Sequence, residues 1–199
     1  MTAGLVILAA GASSRLGEPK QQLQFQGQSL LQRAVQAGLE AGFAPLVVVL
    51  GANAAKFLPE LREAEVTVVR NPEWQEGMSA SIRCGLEELL RLHPETSGAV
   101  FMVCDQPYAT AAVLKGLLQA KQGKRGDIVA SAYQNTLGTP VLFDKAYFPE
   151  LLALRGQEGA KKVILKHKEA VIAYPFPAGA IDIDTAADYA ALLRAGLTG

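Results

Sequence analysis

The sequence contains no run of about 18 apolar residues, the length that a membrane-crossing helix requires, so no helix is expected to span a bilayer. It has only two cysteines, Cys84 and Cys104, far apart and outside any C-x-x-C pair. With just two histidines, His93 and His167, no Cys/His zinc framework can be built. Both cysteines read as small buried hydrophobes. An excess of either charge is also missing: 19 Lys and Arg balance 19 Asp and Glu. That excludes a broad nucleic-acid-binding surface but leaves room for a local basic pocket. The 19 glycines follow no repeating period, which excludes collagen-like and low-complexity readings. No basic segment precedes the apolar run at residues 5–10, and Arg15 follows it, so no signal peptide is expected and the cytoplasm is the expected compartment.

What is present is a chain of 199 residues, half of them hydrophobic, long enough to bury a core without staples. Neither a linker nor a shift in composition divides it, so residues 1–199 read as one domain. Short β-branched runs alternate with helical patterns. Strands are expected at residues 5–8, 46–50, 66–69, 99–103, 127–131, 140–143, 171–174 and 181–183. Helices are expected at 29–41, 54–63, 79–93, 110–122, 145–154, 160–168 and 185–195. Pro59 should interrupt the second, and Pro149 should kink or end the fifth. The alternation predicts an α/β fold with a mostly parallel sheet between helices on both faces. Ligands of such sheets sit outside the carboxyl ends of the strands, here after Leu8, Val69 and Val103.

Three segments at those places carry chemistry. After the first strand runs Leu8-Ala9-Ala10-Gly11-Ala12-Ser13-Ser14-Arg15-Leu16-Gly17-Glu18-Pro19-Lys20. Its small residues allow backbone N–H groups to approach a phosphate or base, and Arg15 and Lys20 add two cations. It satisfies neither G-x-x-x-x-G-K-[ST] nor G-x-G-x-x-G. A glycine turn with two solvated cations is the competing reading. In the second segment, Asn71-Pro72-Glu73-Trp74-Gln75-Glu76-Gly77-Met78-Ser79-Ala80-Ser81, the Asn71 amide could bond a base or ribose. Gly77 and Ser79 stand at a helix start suited to an anion. Equally, a serine could cap that helix while Trp74 packs on the core. In the third, Cys104-Asp105-Gln106-Pro107, Asp105 at a strand end is placed to hold Mg²⁺. A second carboxylate must then come from Ile181-Asp182-Ile183-Asp184-Thr185. Strand alternation would put Asp182 and Asp184 on one side. Asp182 is the favoured second ligand, because Asp184 stands where it could cap the last helix.

The first segment resembles the signature loop of the sugar-phosphate and cofactor nucleotidyltransferases. The second, N-P-x-W-x-x-G-M-S-x-S, is similar to the motif of the molybdenum cofactor cytidylyltransferases of the MobA-like superfamily. Gly138-Thr139-Pro140-Val141-Leu142-Phe143 looks like that family's G-x-P-V-L-F strand. Gly156-Gln157-Glu158-Gly159-Ala160-Lys161 looks like its G-D-x-G-A-R turn, with Gln157 replacing the acid and Lys161 the arginine. Lysine keeps the charge but not the bidentate fork. On residues alone this stretch reads as a glycine-rich turn with a solvated lysine.

The resemblance implies a three-layer, Rossmann-like (GT-A-like) nucleotidyltransferase. It would transfer CMP from CTP to the terminal phosphate of a molybdopterin-type acceptor, with Mg²⁺ as cofactor and pyrophosphate leaving. It further implies that Leu8, Ala9, Ala10, Gly11, Ser13, Arg15, Lys20, Asn71, Gly77, Ser79 and Asp105 bind the nucleotide. Arg15, Lys20 and Asp105 would be catalytic, Asp105 and Asp182 metal ligands, and Gly138, Pro140, Gly159 and Lys161 acceptor-binding. Ala10, where a glycine accompanies GTP use, points to CTP. A molybdenum hydroxylase or its maturation chaperone would be the partner. Two alternatives stay open: another nucleotide or phosphorylated acceptor, and a non-catalytic nucleotide- or cofactor-binding chaperone.

Overall fold

The structure is a computed structural model that describes residues 2–13, 16–121 and 127–196. The elements run β1 (Ala3–Ala9), β2 (Gln24–Phe25), β3 (Gln28–Ser29), α1 (Leu30–Glu40), β4 (Leu46–Leu50), α2 (Ala54–Leu61), β5 (Thr67–Arg70) and α3 (Met78–Leu92). They continue with β6 (Gly98–Val103), α4 (Ala111–Ala120), β7 (Ile128–Tyr133), β8 (Thr136–Asp144), α5 (Phe148–Leu152), α6 (Ala160–Lys166), β9 (Val171–Pro175) and α7 (Ala186–Gly196). Seven strands form one sheet in the order β5-β4-β1-β6-β8-β7-β9. All neighbours pair in parallel except β8, which is antiparallel to both β6 and β7.

The sheet is apolar on both faces because each face is covered. Leu5 and Ile7 of β1 point into a core shared with Leu31, Val35, Phe57 and Leu114 from α1, α2 and α4. Val6 and Leu8 point the other way, toward Ile82, Leu86, Leu151 and Ile164 from α3, α5 and α6. This is why the expected strand at residues 5–8 shows a continuous apolar run rather than alternation. Full burial of each such side chain contributes about 1.5–3 kcal/mol. A third, smaller core joins Leu23, Phe25 and Leu30 to Ile183 and Leu192, so the β2–β3 hairpin and α7 pack together beside the carboxyl edge of the sheet.

Several expectations are corrected. Residues 181–183 form no strand. Phe176 and Ala178 close a 3-10 turn over residues 177–180 just before them. Ile183 N then bonds the carbonyl of Asp105 at 3.1 Å rather than a sheet strand. Pro149 does not end a helix. It sits in the first turn of α5, where its missing N–H costs nothing. α2 likewise runs through Pro59. The strand expected at 140–143 begins at Thr136 and forms a hairpin with β7, turned by Gln134 and Asn135 at φ 45° and 59°.

α3 lies unusually close to the sheet. A Cβ on Gly85 would come within 2.3 Å of Val6 Cγ1 and 2.8 Å of Val49 Cγ2. Gly85→Ala gains about 1 kcal/mol of helix propensity. It forces an overpacking penalty of about 1–3 kcal/mol. A net destabilisation is expected, read as a lower urea midpoint with an unchanged slope.

Candidate active site

The carboxyl ends of β1, β5 and β6 open onto one edge, and three loops meet there. The loop after β1 is braced from within. Gln21 is buried, and its Nε2 donates to the carbonyls of Ala9 (3.0 Å) and Gly11 (2.8 Å). Its Oε1 accepts from Ser13 Oγ at 3.3 Å, and that hydroxyl accepts from the backbone N–H of Lys20 at 3.0 Å. Ser13 takes a left-handed φ of 54° to make these bonds. The result fixes where Lys20 leaves the loop.

The Lys20 ammonium contacts the carboxylate of Asp105 and, at 3.2 Å, Oδ1 of Asp184. Burial pulls the Lys20 pKa down, but the charge and hydrogen bond of Asp105, with that of Asp184, outweigh it and hold it above its ordinary value. Asp184 reaches this point through two local devices. The Ile183–Asp105 backbone bond brings the segment alongside the turn after β6. Thr185 and Asp188 then form a reciprocal cap at the start of α7: Asp188 N donates to Thr185 Oγ1 (3.2 Å), and Thr185 N to Asp188 Oδ2 (2.7 Å). Thr185, not Asp184, is therefore the helix cap.

Asp182 is exposed, and the strand alternation that would have paired it with Asp184 is not formed. Its carboxyl is nevertheless raised, first by burial and then by the charges of Asp184 and Asp105. The three aspartates thus share one anionic field. Among the described residues no three His, Cys, Asp or Glu side chains converge into a complete metal site. Two carboxylates meeting on one ammonium still fit a hard divalent cation, which takes oxygen donors and completes its shell with water or phosphate. Neighbouring Cys104 is no nucleophile: burial, then the charge of Asp105, pushes its thiol up to about 12.

At the carboxyl ends of β1 and β5 lies a cavity of about 310 Å³ lined by Leu8, Ala10, Gly11, Ala12, Trp74, Gln75, Gly77, Met78, Ser81 and Gln157. A second, more apolar cavity of about 300 Å³ shares Leu8 and Met78 with it and is walled by Ile82, Val103, Leu137, Gly138, Gly159 and Lys161. Four residues expected at a nucleotide, Leu8, Ala10, Gly11 and Gly77, line the first cavity. Three expected at an acceptor, Gly138, Gly159 and Lys161, line the second, and Lys161 Nζ donates to Thr136 Oγ1 at 3.0 Å.

Others stand back. Ala9 contributes its carbonyl to Gln21. Asn71 is buried behind the wall: its Nδ2 donates to Ser81 Oγ (3.1 Å), and its Oδ1 accepts from Glu73 N (2.9 Å). The Ser79 hydroxyl donates to Gly156 O at 2.8 Å, so Ser81 rather than Ser79 faces the cavity. Pro140 is buried, its carbonyl accepting from Ser131 Oγ at 2.7 Å. Arg15 lies outside the described residues.

Sequence reasoning missed two buried glutamines. Gln21 braces the first loop. Gln106 Nε2 donates to Gly179 O at 2.8 Å while its Oε1 accepts from Thr139 Oγ1 at 3.2 Å, tying the turn after β6 to β8 and to the approach to Asp184. Gln21 carries no signal in the sequence, whereas Gln106 stands inside the Asp-Gln-Pro turn already singled out.

Among the described residues no helix is long and apolar enough to cross a membrane. Residues 5–171 match the family described as MobA-like NTP transferase domain. Nicotine blue oxidoreductase of Paenarthrobacter nicotinovorans is 29% identical over 171 residues, covering 82% of this chain and 81% of that protein. The Rv0371c protein of Mycobacterium tuberculosis is 31% identical over 98% of each chain, with a TM-score of 0.82. Its complex with manganese superposes with a TM-score of 0.76, at 29% identity over 98% of this chain and 99% of that one. Molybdopterin-guanine dinucleotide biosynthesis protein A of Archaeoglobus fulgidus, 17% identical over 98% of this chain and all of that one, shares the fold with a TM-score of 0.70.

Proposed function

Because this chain belongs to the MobA-like NTP transferase family, we propose that it transfers CMP from CTP to the terminal phosphate of a molybdopterin-type acceptor and releases pyrophosphate. The observation that carries the reading is the meeting of Lys20 with Asp105 and Asp184 after the carboxyl ends of β1 and β6, the strands whose ends, at Leu8 and Val103, line two adjoining cavities. One cavity, bounded by the backbone of Ala10 and Gly11, suits a nucleoside. The other, apolar with Lys161 on its wall, suits a ring system that ends in a phosphate.

In the reaction an acceptor phosphate oxygen forms a bond to the α-phosphorus of CTP, and the bond from that phosphorus to the bridging oxygen of pyrophosphate breaks. No protein nucleophile takes part. Lys20 neutralises charge on the triphosphate and on the departing pyrophosphate, and the same role is assigned to Arg15, five residues earlier in the sequence. Backbone donors of the loop after β1 hold the phosphates in line. Asp105 and Asp184 would hold Mg²⁺, which supplies Lewis-acid stabilisation of the phosphoryl charge when bound. The manganese complex of the mycobacterial neighbour supports a divalent ion in this family. Asp184 takes the place first given to Asp182, because it is the one that meets Lys20 beside Asp105.

The test is pyrophosphate release with molybdopterin and each of CTP, GTP, ATP and UTP, with and without Mg²⁺. Release that depends on CTP, acceptor and metal is expected. A preference for another nucleotide overturns the base assignment. Binding of CTP without release in any mixture makes the protein a non-catalytic carrier. The relative named nicotine blue oxidoreductase carries another reaction class in its name. Failure with every nucleotide overturns nucleotidyl transfer as the reaction of this protein.

A further inference from the structure

The start of α3 and the turn at residues 154–157 belong to different parts of the chain, yet they are bound by a dense set of polar contacts. Glu76 Oε1 accepts from the backbone N–H of Gly156 at 3.1 Å and from Arg83 Nη1 at 3.2 Å. Its Oε2 accepts from Arg83 Nη2 at 2.5 Å. Arg83 Nη1 also donates to the carbonyl of Leu154 at 2.7 Å. Gly156 O accepts from the Ser79 hydroxyl, and Gln157 Nε2 donates to the carbonyl of Glu76 at 3.3 Å. One carboxylate and one guanidinium thus hold both sides of the turn.

The two backbones approach so closely that side chains are excluded between them. A Cβ on Gly77 would fall 2.6 Å from Gly156 O and 2.8 Å from Gln157 Cδ, and Gly77 itself has φ 125°. Gly156 has a left-handed φ of 59°. The arrangement places the Gln157 side chain on the wall of the nucleotide-side cavity. Gly159 and Lys161, a few residues further on, line the neighbouring apolar cavity. One short turn therefore serves both cavities, with Gln157 on the wall of one and Gly159 and Lys161 on the wall of the other.

We propose that Glu76 and Arg83 are positioning residues that clamp this turn to the start of α3, so that Gln157 completes the nucleotide cavity and the turn fixes the spacing between nucleotide and acceptor. The clamp follows from the contacts alone; the identity of the cavity's occupant rests on the proposed function. The Arg83 hydrogen bonds, followed by that from Gly156, hold the Glu76 carboxyl down at about 2. A depressed carboxyl stabilises the fold above its unfolded value near 4.5 and loses that contribution only as pH falls toward about 2. The clamp is therefore closed throughout the neutral range.

Hydrogen exchange over residues 153–162 tests the clamp without any ligand, in wild type, Glu76→Ala, Glu76→Gln and Arg83→Met. Exchange at Gly156 is expected to quicken about tenfold in Glu76→Ala and Arg83→Met, and by an intermediate factor in Glu76→Gln, whose amide oxygen can still accept from Gly156 N. Peptides from β1 and β6 should keep their wild-type rates. Unchanged exchange at Gly156 in Glu76→Ala overturns the clamp. Calorimetric titration with CTP and Mg²⁺ tests its consequence. The Kd is expected to rise about fivefold in Glu76→Ala and in Gln157→Ala, with Glu76→Gln in between. Wild-type affinity in both alanine variants overturns the role of Gln157. If wild type binds no CTP, the proposed function and the Gln157 assignment fail together, and the exchange rates still decide the clamp.

Discussion

Lys20→Met is expected to slow the proposed nucleotidyl transfer by about 10²-fold at saturating substrate, the scale of removing one preorganised charge or donor from a transition state. The loss should fall on kcat as well as on KM for CTP, because in the proposed reaction Lys20 would meet negative charge that grows as pyrophosphate departs. The same change acts on the free protein. Asp105 and Asp184 lose their shared ammonium, in a place where the Lys20 and Asp105 side chains are only 20% and 15% exposed. Removing one partner of a fully buried pair costs about 3–5 kcal/mol, so this partly solvated one should cost about 2 kcal/mol. Added Mg²⁺ should then raise the Tm of the variant more than that of wild type, because the cation replaces charge that the variant lacks. The pH dependence has a definite sign. A lysine raised above 10.5 in the fold stabilises it fully below that value and loses the contribution as pH rises through the higher folded value. Lys20→Met should lack this alkaline loss. Wild-type kinetics in the variant would remove Lys20 from the reaction.

The position of Lys20 also shows what the sequence can and cannot reveal. Small residues and cations after a buried strand are a local pattern, and the loop after β1 was legible for that reason. So was Asp105, since a carboxylate followed by proline at a strand end is a local signal. What joins them is not local. Lys20 is aimed by Gln21, a polar residue whose burial nothing in its neighbours announces. Asp184 is delivered by one backbone bond from Ile183 to a carbonyl far away in the chain, and by a capping pair that leaves the helix start to Thr185. The alternation Ile181-Asp182-Ile183-Asp184 has the period of a strand, and period alone could not show that its backbone partner would be a turn.

The same limit applies elsewhere. From sequence alone Pro149 should kink or end a helix, because its missing N–H is costly inside one. The packing of Phe148 and Leu151 against the sheet makes it a first-turn residue instead, where that group is spare. Asn71 was placed at the ligand because an amide can bond a base. Its amide is instead used to hold Ser81 and to turn the chain at Glu73. In the sequence Gln157 shows only as the residue that replaces the acid of a G-D-x-G-A-R-like turn. Only the meeting of Gly77 with Gly156, two segments nearly eighty residues apart by the Glu76–Gly156 bond, shows which cavity it walls. The alternation of strands and helices follows from short-range patterns; the strand order, the antiparallel β8 and the pairing of loops across the sheet edge do not.

Asp105→Asn is the sharper test of the site, since it removes one charge and almost no volume. The backbone carbonyl of Asp105 keeps its bond to Ile183, and Lys20 keeps Asp184, so the fold should survive with a Tm close to wild type. Turnover should fall by about 10³-fold, the upper range for loss of one electrostatic element, because a divalent ion then has one fewer hard oxygen donor and the lysine one fewer anchor. The neighbouring aspartates separate metal holding from general charge. Asp184→Asn should raise the Mg²⁺ concentration for half-maximal rate about tenfold, as it removes the carboxylate that meets the Lys20 ammonium together with Asp105 and is proposed to hold the metal with it. Asp182→Asn should change it less, since Asp182 enters through its field rather than through contact with Lys20. If Asp182→Asn proves the more damaging of the two, the second metal ligand is Asp182, and the closed Lys20–Asp184 contact is a resting arrangement that the nucleotide displaces. Full activity in Asp105→Asn would go further and strip the carboxyl edge of β6 of any part in the chemistry.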